Sequence, residues 1–180
     1  MISTTRIRLA GLLMLTSLLA LGGCASTPSD DMMARESRAA LARFIDRDPG
    51  LQSWADQAHA YVVFPDVAKG GFGVGGAFGR GMVFQNGQPI GRATVSQATV
   101  GAQIGAQSFS QVIFFQDDAA LRIFQRENLE FSAQATAVAA TAGAAATTSY
   151  ERGVAVFLLV RGGLMAEASV GGQRFSYTPL

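Results

Sequence analysis

The sequence predicts an α+β domain: a mainly antiparallel, Gly-rich, barrel-like sheet with two N-terminal helices and one inserted helix. Three observations carry that prediction. Apolar residues recur at helical spacing only before His59 and again around Leu121. Between Ala60 and Tyr177, short β-rich apolar runs and period-two alternation dominate instead. The chain's 21 glycines concentrate between Gly70 and Gly105 and between Gly153 and Gly172, a distribution suited to tight turns and close strand packing rather than a linker.

The first helix is expected to begin near Met33. Ala34, Leu41, Phe44 and Ile45 share one face there, while Arg35, Glu36, Arg38, Arg43 and Arg47 occupy the others. Asp46 to Gly50 ends it. Asp48 followed by Pro49 then reads as a start signal, with Asp48 as cap and Pro49 in the first turn of a second helix whose stripe is Leu51, Trp54, Ala55 and Ala58.

Ala60-Tyr-Val-Val-Phe64 is a buried strand that Pro65 should end. Glycine alternates with Phe72, Val74, Phe78, Met82 and Phe84 through Gln85. Gly79-Arg80 offers one hairpin turn and Asn86-Gly87 a stronger one. Pro89 to Ser108 and Gln111 to Gln116 continue as short antiparallel strands. Asp117 or Asp118 caps the inserted helix, in which Leu121 and Phe124 lie three apart. Glu130 to Ala137 alternates polar residues with Phe131 and alanines, so it reads as strand despite its alanine content. Thr141 to Thr148 reads as a loop or frayed strand end. Val154 to Val160, Leu164 to Val170 and Arg174 to Tyr177 complete the sheet, separated by Gly162-Gly163 and Gly171-Gly172.

The first residues have a separate logic. Arg6 and Arg8 precede an uncharged run from Leu9 to Leu21, and Leu21-Gly22-Gly23-Cys24 follows. The apolar run is shorter than the ~20 residues a membrane-spanning helix requires, so it is expected to be an export signal. Resemblance to the bacterial lipobox implies cleavage before Cys24 and covalent lipid on its sulfur. Several acyl chains would hold firmly where one is marginal. Ala25, where an Asp would favour inner-membrane retention, points to a lipid anchor in the outer membrane, facing the periplasm. Residues 24–33, small and polar, are the expected tether, and 34–180 the domain.

Composition narrows the function. Removing Arg6 and Arg8 takes the 14 basic residues to 12, against 13 acidic ones, so nothing recommends nucleic acid as a partner. Cys24 is the single cysteine and His59 the single histidine. No intramolecular disulfide, cysteine metal cluster or Ser-His-Asp triad is in prospect, and no cofactor, metal or catalytic residue is assigned. Gly71-Phe-Gly-Val-Gly-Gly76 satisfies the spacing of a nucleotide loop, yet no helical pattern follows it, and it reads as strand. Gln103 and Gln107 either line a polar pocket or satisfy backbone at the end of the sheet.

Several stretches together resemble the SYLF domain, also called the Ysc84 actin-binding domain: Ala60 to Pro65, Gly70 to Gly76, Gly101 to Gln107, Val112 to Phe115, Phe131 to Ala135 and Tyr150 to Gly163. The resemblance implies a non-enzymatic domain that binds phospholipid. Eukaryotic members recognise phosphoinositides and some bind actin, partners foreign to a bacterial envelope. In those members the segment before the first core strand is credited with lipid contact. Here the matching segment is Met33 to Ala58, and its candidate lipid-binding residues are Arg35, Arg38, Arg43 and Arg47. Glu36, Asp46 and Asp48 weaken its attraction for anions. The expected partner is membrane phospholipid with anionic headgroups. The alternative is an envelope scaffold that recruits an unknown envelope protein.

Overall fold

The computed structural model describes residues 29–126, 130–131, 137–163 and 172–180. Helix α1 spans Asp30–Arg47 and α2 spans Leu51–Gln57. Two long strands follow, β1 (Ala60–Gln85) and β2 (Gln88–Phe115), then α3 (Asp118–Arg126), β3 (Glu130–Phe131), β4 (Ala137–Ala139), α4 (Ala144–Thr147), β5 (Val154–Gly163) and β6 (Gln173–Pro179). Cys24 and the expected strand at Leu164 to Val170 lie outside the described residues, as do 132–136 of the expected Glu130 strand.

α1 begins at Asp30, before the expected start near Met33, because Ser29 accepts the Met32 N–H on its hydroxyl at 3.3 Å. Met33 and Ala34 are already buried. Asp48 does not cap α2 at the expected position, since that helix starts at Leu51 behind Gly50. Its carboxylate binds the Gly50 N–H at 3.1 Å and reaches across to Ala145.

The strands differ most from expectation. Pro65 does not end β1. It sits in a register shift between Phe64 and Val67, where a missing N–H costs no ladder bond, and its carbonyl accepts the Ser110 hydroxyl at 2.7 Å. Gly79-Arg80 is not a turn either. The hairpin closes only at Asn86 (φ 51°) and Gly87 (φ 73°), whose two positive φ values match the twist of the flanking strands. β1 and β2 therefore form one antiparallel ribbon in place of several short strands.

That ribbon doubles back on itself. A Cβ on Gly79 would lie 2.7 Å from Val67 Cγ2, and one on Gly81 would lie 2.3 Å from the Val63 carbonyl oxygen. Gly79 and Val67 would stand roughly 40 Å apart in a straight strand at ~3.3 Å per residue. The glycines permit this approach, and the bend lies in the Gly-rich middle of the ribbon.

On the far edge of β2, β6 pairs with Gly91–Gln97 and β5 with Gln107–Phe115. β3 pairs with β6, and β4 runs parallel to β5. The sheet is open and not a barrel: among the described residues β3 and β4 stand at its two ends, each with one neighbour. Packing inside the fold, rather than a closed ring of hydrogen bonds, completes the interior. A further correction concerns Thr141 to Thr148, which contains the short α4 after Gly143 (φ 86°).

Two clusters fill the two faces. Inside the folded ribbon, Phe64, Val67, Val95, Ile113 and Phe115 meet Leu121 and Phe124 of α3 and Phe175 of β6. Phe124 lies 5.0 Å from Phe115 and 5.8 Å from Phe175, and Phe175 lies 5.7 Å from Phe64, between ring centroids. On the other face, Met33, Leu41, Phe44 and Leu51 of the helices cover Val63, Met82, Phe84, Val112, Phe114 and Phe157. Trp54 closes that layer against Tyr150 and Phe157.

Candidate lipid-facing site

α1 is fixed on the sheet before its arginines are considered. Ser37, fully buried, donates its hydroxyl to the Val63 carbonyl at 3.3 Å, and Asp30 pairs with Arg92 at 3.4 Å. With about 100° between successive residues, Arg35 projects about 180° from buried Phe44. Arg38 falls about 120° to one side of it, and Arg43 and Arg47 about 100° and 60° to the other. The four arginines expected to act together therefore separate into three places.

Arg35 is exposed on the outer side of α1. Arg38 is committed to the fold: its Nη2 donates to the Gly87 carbonyl at 3.2 Å, and its guanidinium stands 5.1 Å from the centre of the Phe84 ring. It lines a groove of about 390 Å³ with Tyr61 and Asp56. Burial pushes the Tyr61 phenol above its ordinary value of 10.0, opposed in part by Arg38. Arg38 thus clamps the β1–β2 turn to α1.

Arg43 and Arg47 face outward beside β5. They line an open groove of about 580 Å³ with Asp46, Leu159, Val160 and Arg161. Arg161 was not among the residues picked out from the sequence. Its Nη1 lies 3.5 Å from Asp66 Oδ1 and donates to the Pro65 carbonyl at 3.3 Å, which holds the guanidinium at the groove. Alternation along β5 does not mark it, because position 161 falls in the register shift between the pairs Phe109–Val160 and Ser108–Gly162. Val160 next to it is 49% exposed. Three guanidiniums, a half-exposed apolar side chain and two carboxylates make a surface able to bind phosphate oxygens in a forked geometry and set an apolar contact against acyl chains.

The remaining chemistry-bearing residues have structural partners. Asp117 accepts the Ala120 N–H at 2.8 Å as the cap of α3, and Asp118 pairs with Arg122. His59 Nε2 lies 2.9 Å from Gln85 Nε2 and 3.9 Å from Asp118 Oδ1, linking β1 to α3. Gly71 to Gly76 lies within β1, so its spacing belongs to strand. Among the described residues no three His, Cys, Asp or Glu side chains are grouped to hold a metal ion, and no helix is long and apolar enough to cross a membrane.

Comparison with known proteins adds a lineage. Residues 96–178 match the family described as Ysc84, Las17-binding protein actin regulator. The chain is also similar to beta cell expansion factor A of Aeromonas veronii, with 27% identity over 139 residues, 76% of this chain and 52% of that protein. It spans about half the length of that relative. The family match begins within β2 and includes Arg161, whereas Arg35, Arg38, Arg43 and Arg47 all precede it.

Proposed function

We propose that this chain, whose residues 96–178 match the Ysc84 family, is a lipid-anchored bacterial envelope protein whose domain binds anionic phospholipid without catalysis. The observation that carries this reading is the groove in which Arg43 and Arg47 of α1 meet Arg161 of β5 beside exposed Val160. Lipid on Cys24 would keep the domain at a bilayer, where weak headgroup contacts act at high effective concentration. The reading narrows the site from the whole of α1 to its C-terminal turns and one strand end.

Cosedimentation of protein beginning at Ala25, unlipidated, with anionic or neutral vesicles tests it. Each arginine near an anionic surface contributes about 1 kcal/mol, so changing Arg43, Arg47 and Arg161 together to Ser should weaken binding by roughly two orders of magnitude. Equal binding to neutral and anionic vesicles sinks the reading. Asp46 and Asp66, which dilute the positive field, favour as a second reading a scaffold that docks an envelope protein at this groove. Capture of a partner that the triple variant loses, with no vesicle binding, would select it.

A further inference from the structure

Buried polar side chains share the interior of the folded ribbon with its apolar cluster. Two places beyond buried Val67, past exposed Ala68, stands Lys69, the chain's one lysine, only 5% exposed. Gln107 is its register partner on β2. Gln111 stands two places beyond buried Phe109, and Gln173 lies on β6 beside Gln97. All five are more than nine-tenths buried and alternate in register with the residues of the inner cluster.

Gln111 Nε2 donates to Gln173 Oε1 at 3.1 Å. Gln111 Oε1 and Gln173 Nε2 are buried and have no partner among the described residues. Turning both amides over exchanges their roles and again leaves one donor and one acceptor. Among the described residues no carboxylate lies within salt-bridge distance of Lys69. Buried lysines are almost always paired, and buried polar groups almost always hydrogen-bonded.

We propose that this layer is an internal binding site for a phosphate group carrying at least one acidic hydrogen, as free phosphate or as a monoester. Lys69 Nζ and the free N–H of the glutamine pair donate to phosphate oxygens, and the free amide oxygen accepts the P–O–H. An ionised carboxylate has no hydrogen to offer that acceptor, which makes phosphate the better match. The site is separate from the surface groove of Arg43, Arg47 and Arg161 and stands whether or not that groove binds lipid.

Thermal unfolding of the protein beginning at Ala25, followed by the emission of its single tryptophan, Trp54, tests the proposal. The probes are inorganic phosphate, acetate and dihexanoyl phosphatidate below its micelle concentration, at matched ionic strength. Either phosphate probe should raise the midpoint saturably while acetate does not, and the probe acting at the lower concentration identifies the source. The response should weaken at least tenfold in Lys69→Met. It should survive the change of Arg43, Arg47 and Arg161 to Ser. Should Lys69→Met fail to fold, Gln173→Glu keeps the side chain's size, sets a carboxylate against the anion, and should abolish the response. The proposal is overturned by the absence of a saturable response to both phosphate probes, or by an unchanged response in whichever of the two interior variants folds.

Discussion

Asp48 and Ala145, 97 positions apart in sequence, are joined by a hydrogen bond of 2.7 Å from the Ala145 N–H to the Asp48 carboxylate. The same carboxylate binds the Gly50 N–H, so one buried side chain ties the link between α1 and α2 to α4. The bond from Ala145 is the largest influence on its acidity. It holds the carboxyl below its ordinary value of 3.8 although burial acts in the opposite direction.

Linkage gives that bond a sign. A carboxylate whose folded pKa is depressed contributes stability above the unfolded value, and loses it as pH falls through the folded value. The protein should therefore lose stability progressively below about pH 4. Asp48→Asn should be less stable at pH 7, by ~1–3 kcal/mol for the buried bonds weakened. It should also show a smaller further loss on acidification. Urea unfolding of both proteins from pH 7 to pH 2 measures the two slopes, and parallel slopes would exclude Asp48 as a source of acid sensitivity.

Among the described residues, Gly81 makes the tightest crossing within the folded ribbon. A methyl group there meets the Val63 carbonyl oxygen at 2.3 Å, and a backbone atom cannot swing aside as a side-chain tip can. Gly81→Ala should cost ~1–3 kcal/mol or more through overpacking. Gly87→Ala meets nothing within 4 Å and carries only the strain of its positive φ, roughly 1 kcal/mol. Calorimetric midpoints should rank Gly81→Ala below Gly87→Ala.

Phe124 closes the inner cluster from α3 and is fully buried. Phe124→Ala should destabilise by ~3–5 kcal/mol, while Ile123→Ala, at a half-exposed neighbour on the same helix, should cost much less. Equal effects on chemical denaturation would contradict the assignment of α3 as the lid of that core.

Arg38 and Arg161 should separate stability from binding. Arg38→Ala breaks the contact with Gly87 and the cation–π contact with Phe84, and should lower stability by ~1 kcal/mol with little effect on vesicle binding. Arg161→Ser should weaken vesicle binding several-fold and stability less, since its pair with Asp66 is solvent-exposed. Reversed results would place the lipid-facing surface at the hairpin turn.

Much of the fold was legible because local chemistry and tertiary structure agree. Leu41 and Phe44 mark the buried face of α1, Asn86-Gly87 turns the hairpin, and Asp117 caps α3. Pro65 misled because only the tertiary bulge absorbs its missing N–H, and Gly79-Arg80 misled because glycine serves close approach as well as turning. The site was half legible. Spacing along α1 shows where arginines point, but Arg161 reaches Arg43 and Arg47 from a strand far along the chain. The buried glutamines were less visible still, since an alternating strand reads alike whether its polar residues face water or the interior.

β6 contains the last strand residues to follow all the elements it packs against, and Phe175 within it touches both Phe64 and Phe124. A chain still being made cannot bury those two rings against their final neighbour until β6 has arrived. The domain thus has an intrinsic timing. Its inner core stays unfinished until those residues are made, so completion of that core waits on contacts far apart in the chain.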